Sequence, residues 1–163
     1  MLQENLLRRK YNESLHNEPN PVATSPESCH FEFPDADLPK HNQVIVDTSV
    51  RVDHLRTGNR YLEKLLLDAE VVCHEFIIGE LACGNLKNRT EILTLLQSLP
   101  HSKTVDPQEF LYFIDKHCLM GRGIGFVDVH LLASAQLSSL TIWTADKSLM
   151  SAAKNLKLQY SKK

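Results

Sequence analysis

The chain has 163 residues, 42% hydrophobic and 23% charged, with 18 basic against 20 acidic side chains and a formal charge of −2. That balance excludes a wholly disordered polypeptide and a strongly basic nucleic-acid wrapper, and it fits about one domain. No apolar run is long enough to span a bilayer. The start MLQENLLRRKYNESLHNEP is too polar for the apolar core of a secretory signal, so a soluble, cytoplasmic protein is expected.

Composition shifts near residue 43. Residues 1–43 hold five of the seven prolines, no glycine, and four basic against seven acidic residues. They are read as an N-terminal extension, with a short helix around Leu6 to Leu15, preceding a domain at 44–163. Three readings of the extension stay open: disordered chain, an arm that docks on the domain, or an artefact of the assigned start. The cysteines, Cys29, Cys73, Cys83 and Cys118, form no CxxC or zinc-finger spacing, so free thiols are expected.

From residue 44 strands and helices alternate. VIVD (44–47) is a β-branched apolar run ending in an acid. VRVDHLR (50–56) and NRYLEKLLLDAE (59–70) read as helices, and VVCH (71–74) as a second short strand. EFIIGELACGN (75–85) is a helix ended by Gly84-Asn85. Asn88 and Glu91 have the spacing of a capping box for TEILTLLQSL, which Pro100 ends. SKTVD (102–106) is a weak strand, and Pro107 suits the start of the next helix. GRGIG (121–125) is a loop before the helix FVDVHLLASAQL (126–137). LTIWT (140–144) is a strand, ADKSLMSAAKNL (145–156) a helix and LKLQY a last strand. The pattern predicts an α/β fold, with a mostly parallel sheet of about five strands covered on both faces.

Four acids then fall in related places. Asp47 ends the first strand, and Asp146 lies just past LTIWT. Asp128 is in the first turn after GRGIG, and Glu80 is within the helix that follows the second strand. Open parallel sheets bind ligands beyond the carboxyl ends of their strands. Carboxylates gathered there repel one another, and an all-oxygen donor set suits Mg²⁺ or Mn²⁺ more than zinc. Such ions serve phosphodiester chemistry. Taken singly, Glu80, Asp128 and Asp146 also read as helix caps or solvated charges, whereas Asp47, directly after VIV, is an acid next to buried strand backbone, where charges are rarely left unpaired. GRGIG lacks the lysine-serine pair of a Walker motif and does not follow a strand, so nucleotide-loop readings are set aside.

The ordered set resembles PIN-domain ribonucleases, and within them VapC-type toxins of type II toxin–antitoxin systems. VIVDTSVRVDHLR looks like the family's opening strand and acid. FIIGELACGN carries its glutamate, GRGIGFVDVHLLASA its third acid and IWTADKSL its fourth, over about residues 44–158. The resemblance implies a PIN-like (Rossmann-like) three-layer sandwich. It also implies a metal-dependent endoribonuclease that inhibits translation by cleaving tRNA or rRNA and leaves 5′-phosphate and 3′-hydroxyl ends. Asp47, Glu80, Asp128 and Asp146 would hold Mg²⁺ or Mn²⁺ and be catalytic, with Ser49 and Thr144 orienting them. The partners it implies are a cognate VapB-type antitoxin and a second copy in a homodimer.

Arg51, Arg122 and Lys147 are candidate RNA phosphate contacts. The chain departs from the family pattern at Arg51, where a large apolar residue is common, and at Ala145, where a basic residue is frequent. His54, His74 and His130 read as structural. The leucine stripes at Leu62, Leu65 and Leu66 and at Ile92, Leu95 and Leu96 read as core or a dimer face, and Trp143 as core. Two other classes compete. One is a non-catalytic RNA- or protein-binding module. The other is an aspartyl-phosphate phosphatase with Asp47 as nucleophile, which would want a second Asp where Ser49 stands.

Overall fold

A computed structural model describes residues 43–162. The extension read at 1–43, with its helix near Leu6 to Leu15, lies outside the described residues apart from Gln43. The described chain runs β1 (Val44–Val46), α1 (Thr48–Thr57), α2 (Arg60–Leu67), β2 (Val71–Val72), α3 (Glu75–Cys83), α4 (Arg89–Ser98), α5 (Pro107–Lys116), α6 (Phe126–Leu137), β3 (Thr141–Trp143) and α7 (Lys147–Asn155).

The sheet is parallel, with strand order β2-β1-β3. Val44 and Ile45 pair with Val71 and Val72 on one side, and β1 pairs with Thr141 to Trp143 on the other. Three strands form where about five were expected. The expected last strand LKLQY shrinks to a single parallel bridge of Ile142 with Gln159, and at the other edge a single bridge joins Cys73 to His101, one residue before the expected strand. They add one position at each side, so the expected layout survives while the edges stay short, as edges exposed to solvent usually do. The segment 102–106 forms no strand because Asp106 is committed to the next helix. Its carboxylate accepts from Gln108 N and Glu109 N at 2.7 and 2.8 Å, and Glu109 returns the bond to Asp106 N at 2.7 Å.

Strand alternation sends side chains to two cores. Ile45, Val72 and Ile142 face a core with Ile77 and Leu81 of α3, Phe113 of α5, Leu131 and Leu132 of α6, and Leu149 of α7. Val44, Val46 and Val71 face a smaller one with Val50 of α1 and Leu62 and Leu65 of α2. Helices therefore cover both faces. Trp143, expected in the core, is only half-buried at the rim of the smaller cluster. It meets Tyr61 edge-on and stacks on Tyr160. Of the leucine stripes, Leu62, Leu65 and Leu96 are buried, whereas Leu95 is 61% exposed.

Local chemistry explains the helix ends. Asn59 caps α2, accepting from Tyr61 N and Leu62 N, both at 3.1 Å. Gly58, at φ 77°, closes α1 by donating to His54 O. The capping box expected at Asn88 does not form. Asn88 adopts a left-handed conformation at φ 54° and makes no side-chain cap bond.

His74 caps α3: its Nδ1 accepts from Phe76 N at 3.1 Å, and its Nε2 is 3.0 Å from Ser134 Oγ. The ring is fully buried, and burial pushes its pKa down from 6.5 to about 4. The unfolded chain therefore takes the proton first. His74's contribution is complete above 6.5 and is lost as pH falls toward about 4, at most about 3 kcal/mol. Urea midpoints should fall across that window. His74→Asn, which keeps a cap acceptor but cannot titrate, should flatten the fall; an undiminished slope would assign the pH dependence to other groups.

Candidate active site

The carboxyl ends of β1 and β3 lie side by side. Asp47 N donates to Trp143 O at 2.9 Å, carrying the pairing one residue past β1. Asp47 is buried and begins α1 as its N-cap. One of its oxygens, Oδ2, accepts from Ser49 Oγ at 2.6 Å, Thr144 Oγ1 at 2.8 Å and Ser49 N at 3.3 Å. Among the described residues nothing donates to Oδ1, so half of the carboxylate is fixed and half is left for a ligand.

Ser49 and Thr144 do more than hold Asp47. Ser49 Oγ also accepts from Ala145 N at 3.1 Å, and Thr144 Oγ1 accepts from Asp146 N at 2.9 Å. The two hydroxyls lace the start of α1 to the β3–α7 turn. Asp146 in turn caps α7, accepting from Leu149 N through Oδ1 at 2.8 Å. The bonds from Thr144 to Asp47 and from Ala145 to Ser49 join residues 97 and 96 positions apart.

Glu80 comes from α3 and Asp128 from the first turn of α6. Glu80 Oε2 accepts from Thr48 Oγ1 at 2.6 Å, a contact that the sequence reading did not single out. The D-T-S run carried the signal, since Thr48 directly follows the strand-end acid. Asp128 Oδ2 accepts from Gly125 N at 3.1 Å. Burial pushes the Asp128 carboxyl above its ordinary value, the bond from Gly125 opposes this, and the charges of Asp47, Asp146 and Glu80 push it further up. The fold thus brings all four acids into one electrostatic field. Among the described residues, no three His, Cys, Asp or Glu side chains close into a ready ligand cage. The arrangement is an open cluster of acids.

The three expected phosphate contacts part company. Arg122 and Lys147 are exposed and line the same cleft. Arg51 does not lie on the surface. It is 5% exposed, and its Nε donates to Val46 O at 2.8 Å while Nη2 lies 3.5 Å from Val72 O. It stands one helical turn after Asp47, so α1 carries it under the sheet's carboxyl edge. Burial lowers its pKa, while Cys73 and Asp47 favour its charge. The expectation of an RNA contact at Arg51 is corrected to a buried support of β1, β2 and Asp47.

The histidines have structural surroundings. His54 Nδ1 accepts from Asn59 N at 2.9 Å. His130 is buried among Phe76, Phe110 and Phe126 on the side of α6 away from Asp128. Cys73, Cys83 and Cys118 are free thiols, and Cys29 lies outside the described residues. No helix among the described residues is long and apolar enough to cross a membrane.

A parallel sheet with acids gathered at its carboxyl edge defines a class, and comparison with known proteins gives it a family. Residues 44–155 match the PIN domain, and the chain belongs to the PIN-domain family. Within that family the likeness is to VapC-type ribonucleases. The chain is 42% identical over 110 residues to Ribonuclease VapC32 of Mycobacterium tuberculosis (strain CDC 1551 / Oshkosh), spanning 67% of this chain and 89% of that protein. Ribonuclease VapC32 of strain ATCC 25618 / H37Rv matches to the same extent. Among solved structures, that of PAE2754 from Pyrobaculum aerophilum aligns with a TM-score of 0.48 and 18% identity over 83% of this chain and 99% of that one.

Proposed function

We propose that this protein is a divalent-metal-dependent endoribonuclease that hydrolyses RNA phosphodiesters and acts as the toxin of a toxin–antitoxin pair. The observation that carries this reading is at the carboxyl edge of the sheet, where Ser49 and Thr144 fix one oxygen of Asp47 and the charges of Asp47, Glu80 and Asp146 bear on half-buried Asp128. Uncompensated, such a cluster costs stability. The donors are all oxygen, which suits Mg²⁺ or Mn²⁺, and Mg²⁺ keeps several waters and needs only one or two carboxylates. An open cluster of carboxylates fits that habit. Asp47, Glu80, Asp128 and Asp146 would hold the ion.

A bound divalent cation supplies positive charge that activates water and neutralises phosphate oxygens. The chain supplies position. Ser49 and Thr144 fix Asp47 through Oδ2 and leave Oδ1 without a protein donor among the described residues, Thr48 holds Glu80, and Gly125 holds Asp128. Likeness to Ribonuclease VapC32 supports RNA as substrate. Translation would be blocked by cutting tRNA or rRNA in the cytoplasm. A VapB-type antitoxin and a homodimer complete the reading. A groove of about 320 Å³ lined by Leu55, Leu62, Leu66, Ile92 and Leu95 supports binding of an apolar partner segment.

The test is incubation of the purified protein with total RNA in Mg²⁺, in Mn²⁺ and in EDTA, beside the Asp128→Asn variant. Discrete metal-dependent fragments from wild type alone support the reading, and mapped ends name the target. Intact RNA from folded wild-type protein would move the weight to a non-catalytic module.

Gly125 provides a finer check. Its φ of −75° suits any residue, but a Cβ there would sit 3.2 Å from Asp128 Oδ2. Gly125→Ala should displace that carboxylate and slow cleavage about 10-fold, the lower end for loss of an orienting partner. Its urea midpoint should stay near wild type. Unchanged cleavage would mean that Asp128's position is not critical.

A further inference from the structure

Next to the acids lies a cleft of about 270 Å³ lined by Arg122, Ile124, Lys147, Ser148, Ser151, Ala152 and Asn155. Its walls are the ends of two segments already in the site. Lys147 follows Asp146 directly, and Ser148, Ser151 and Asn155 recur at helical spacing along α7. Arg122 and Ile124 belong to the loop that leads to Gly125 and Asp128. Gly121 and Gly123, at φ 70° and 68°, flank Arg122 and set the turn that presents it.

The chemistry of this cleft differs from that of the acidic cluster. It holds two cations, two hydroxyls and an amide, and none of its residues is acidic. Among the described residues neither Arg122 nor Lys147 forms a salt bridge. Ala152 forms a small floor between the polar groups. We propose that this cleft is a subsite for the sugar–phosphate backbone of the RNA strand, taking a phosphate that flanks the one being cut. This deepens the ribonuclease reading and rests on it. Arg122 and Lys147 would pair with the phosphate, and Ser148, Ser151 and Asn155 would donate to phosphate or ribose oxygens. The cleft would then fix how the strand crosses the acids, and its cations would draw an anionic strand toward carboxylates that otherwise repel it.

The test measures binding directly. A fluorescein-labelled single-stranded RNA is titrated by anisotropy, at several salt concentrations, with protein carrying Asp128→Asn so that the strand survives. Each phosphate contact on a single strand contributes about 0.7 to the slope of log affinity against log salt. Arg122→Gln with Lys147→Gln should therefore flatten the slope by about 0.7 and weaken binding. Arg122→Lys with Lys147→Arg should restore the slope. Ser151→Ala should weaken binding several-fold and leave the slope alone. Lys64→Gln with Lys103→Gln, on other surfaces, sets the background change.

A double variant whose slope matches that background overturns the subsite, even if wild-type protein cleaves RNA. The same outcome with loss of binding to an acidic peptide would assign the cleft to a protein partner and also overturn it. Failure of the ribonuclease reading looks different: wild-type protein with metal then leaves total RNA intact whatever the slopes show.

Discussion

Asp128→Asn should leave RNA intact under conditions where wild-type protein degrades it, a loss of at least about 100-fold. It should also melt no lower than wild type. The second expectation separates chemistry from folding. Asp128 has its pKa raised in the folded protein above 3.8, so at neutral pH its charged form is disfavoured by burial and by three neighbouring carboxylates. The contribution of such a group is present at low pH and is lost as pH rises through the raised value. Asparagine removes the charge and keeps the size, and its side-chain oxygen can still accept from Gly125 N. A variant that is inactive because it has unfolded would melt early, and the argument here requires the opposite.

Metal linkage gives a readout apart from activity. Mg²⁺ or Mn²⁺ that binds only the folded state should raise the melting temperature of wild type. Asp128→Asn should shrink that rise. Full cleavage by the variant, or an equal metal-dependent rise in both proteins, would remove Asp128 from the proposed machinery.

Arg51→Met should cost about 3 kcal/mol of stability, read as a large fall in the urea midpoint. Arg51 donates to Val46 O and lies near Val72 O, at the ends of two adjacent strands. Methionine fills much of the volume but gives these carbonyls no donor. It also removes the cation that Asp47 faces from one turn away. Combining Arg51→Met with Asp47→Asn should cost less than the sum of the two changes, because the second relieves a charge that the first leaves uncompensated. A surface phosphate contact would behave differently, with normal stability and a flatter salt dependence of RNA binding.

The Arg51 result shows where sequence reading stops. Position 51 departs from the family pattern, and an exposed charge near a strand end is the ordinary reading. The helical period placed it one turn after Asp47, yet a period cannot say which side of α1 meets the sheet. Asn88 shows the same limit at a cap. Its spacing to Glu91 matched a capping box, but the chain entering α4 turned left-handed there, and the side chain lost its target. At the sheet edges the apolar runs were visible and their pairing was not. One bridge or a full strand depends on the neighbouring helix, as Asp106 shows by capping α5.

The sequence by itself determined the alternation of strands and helices, and the order of Asp47, Glu80, Asp128 and Asp146 along it. These are local properties: β-branched runs, capping residues and a strand-end acid are written in a few adjacent letters. Only the tertiary structure decided which oxygens are held and which are left for a ligand. It also decided that Thr48 reaches Glu80, that Arg51 is buried, and that Arg122 and Lys147 share one cleft. Those facts join residues far apart in the chain, such as Asp47 and Thr144 at 2.8 Å across 97 positions. The packing of helices on a short parallel sheet sets such distances, and that packing depends on every buried side chain at once.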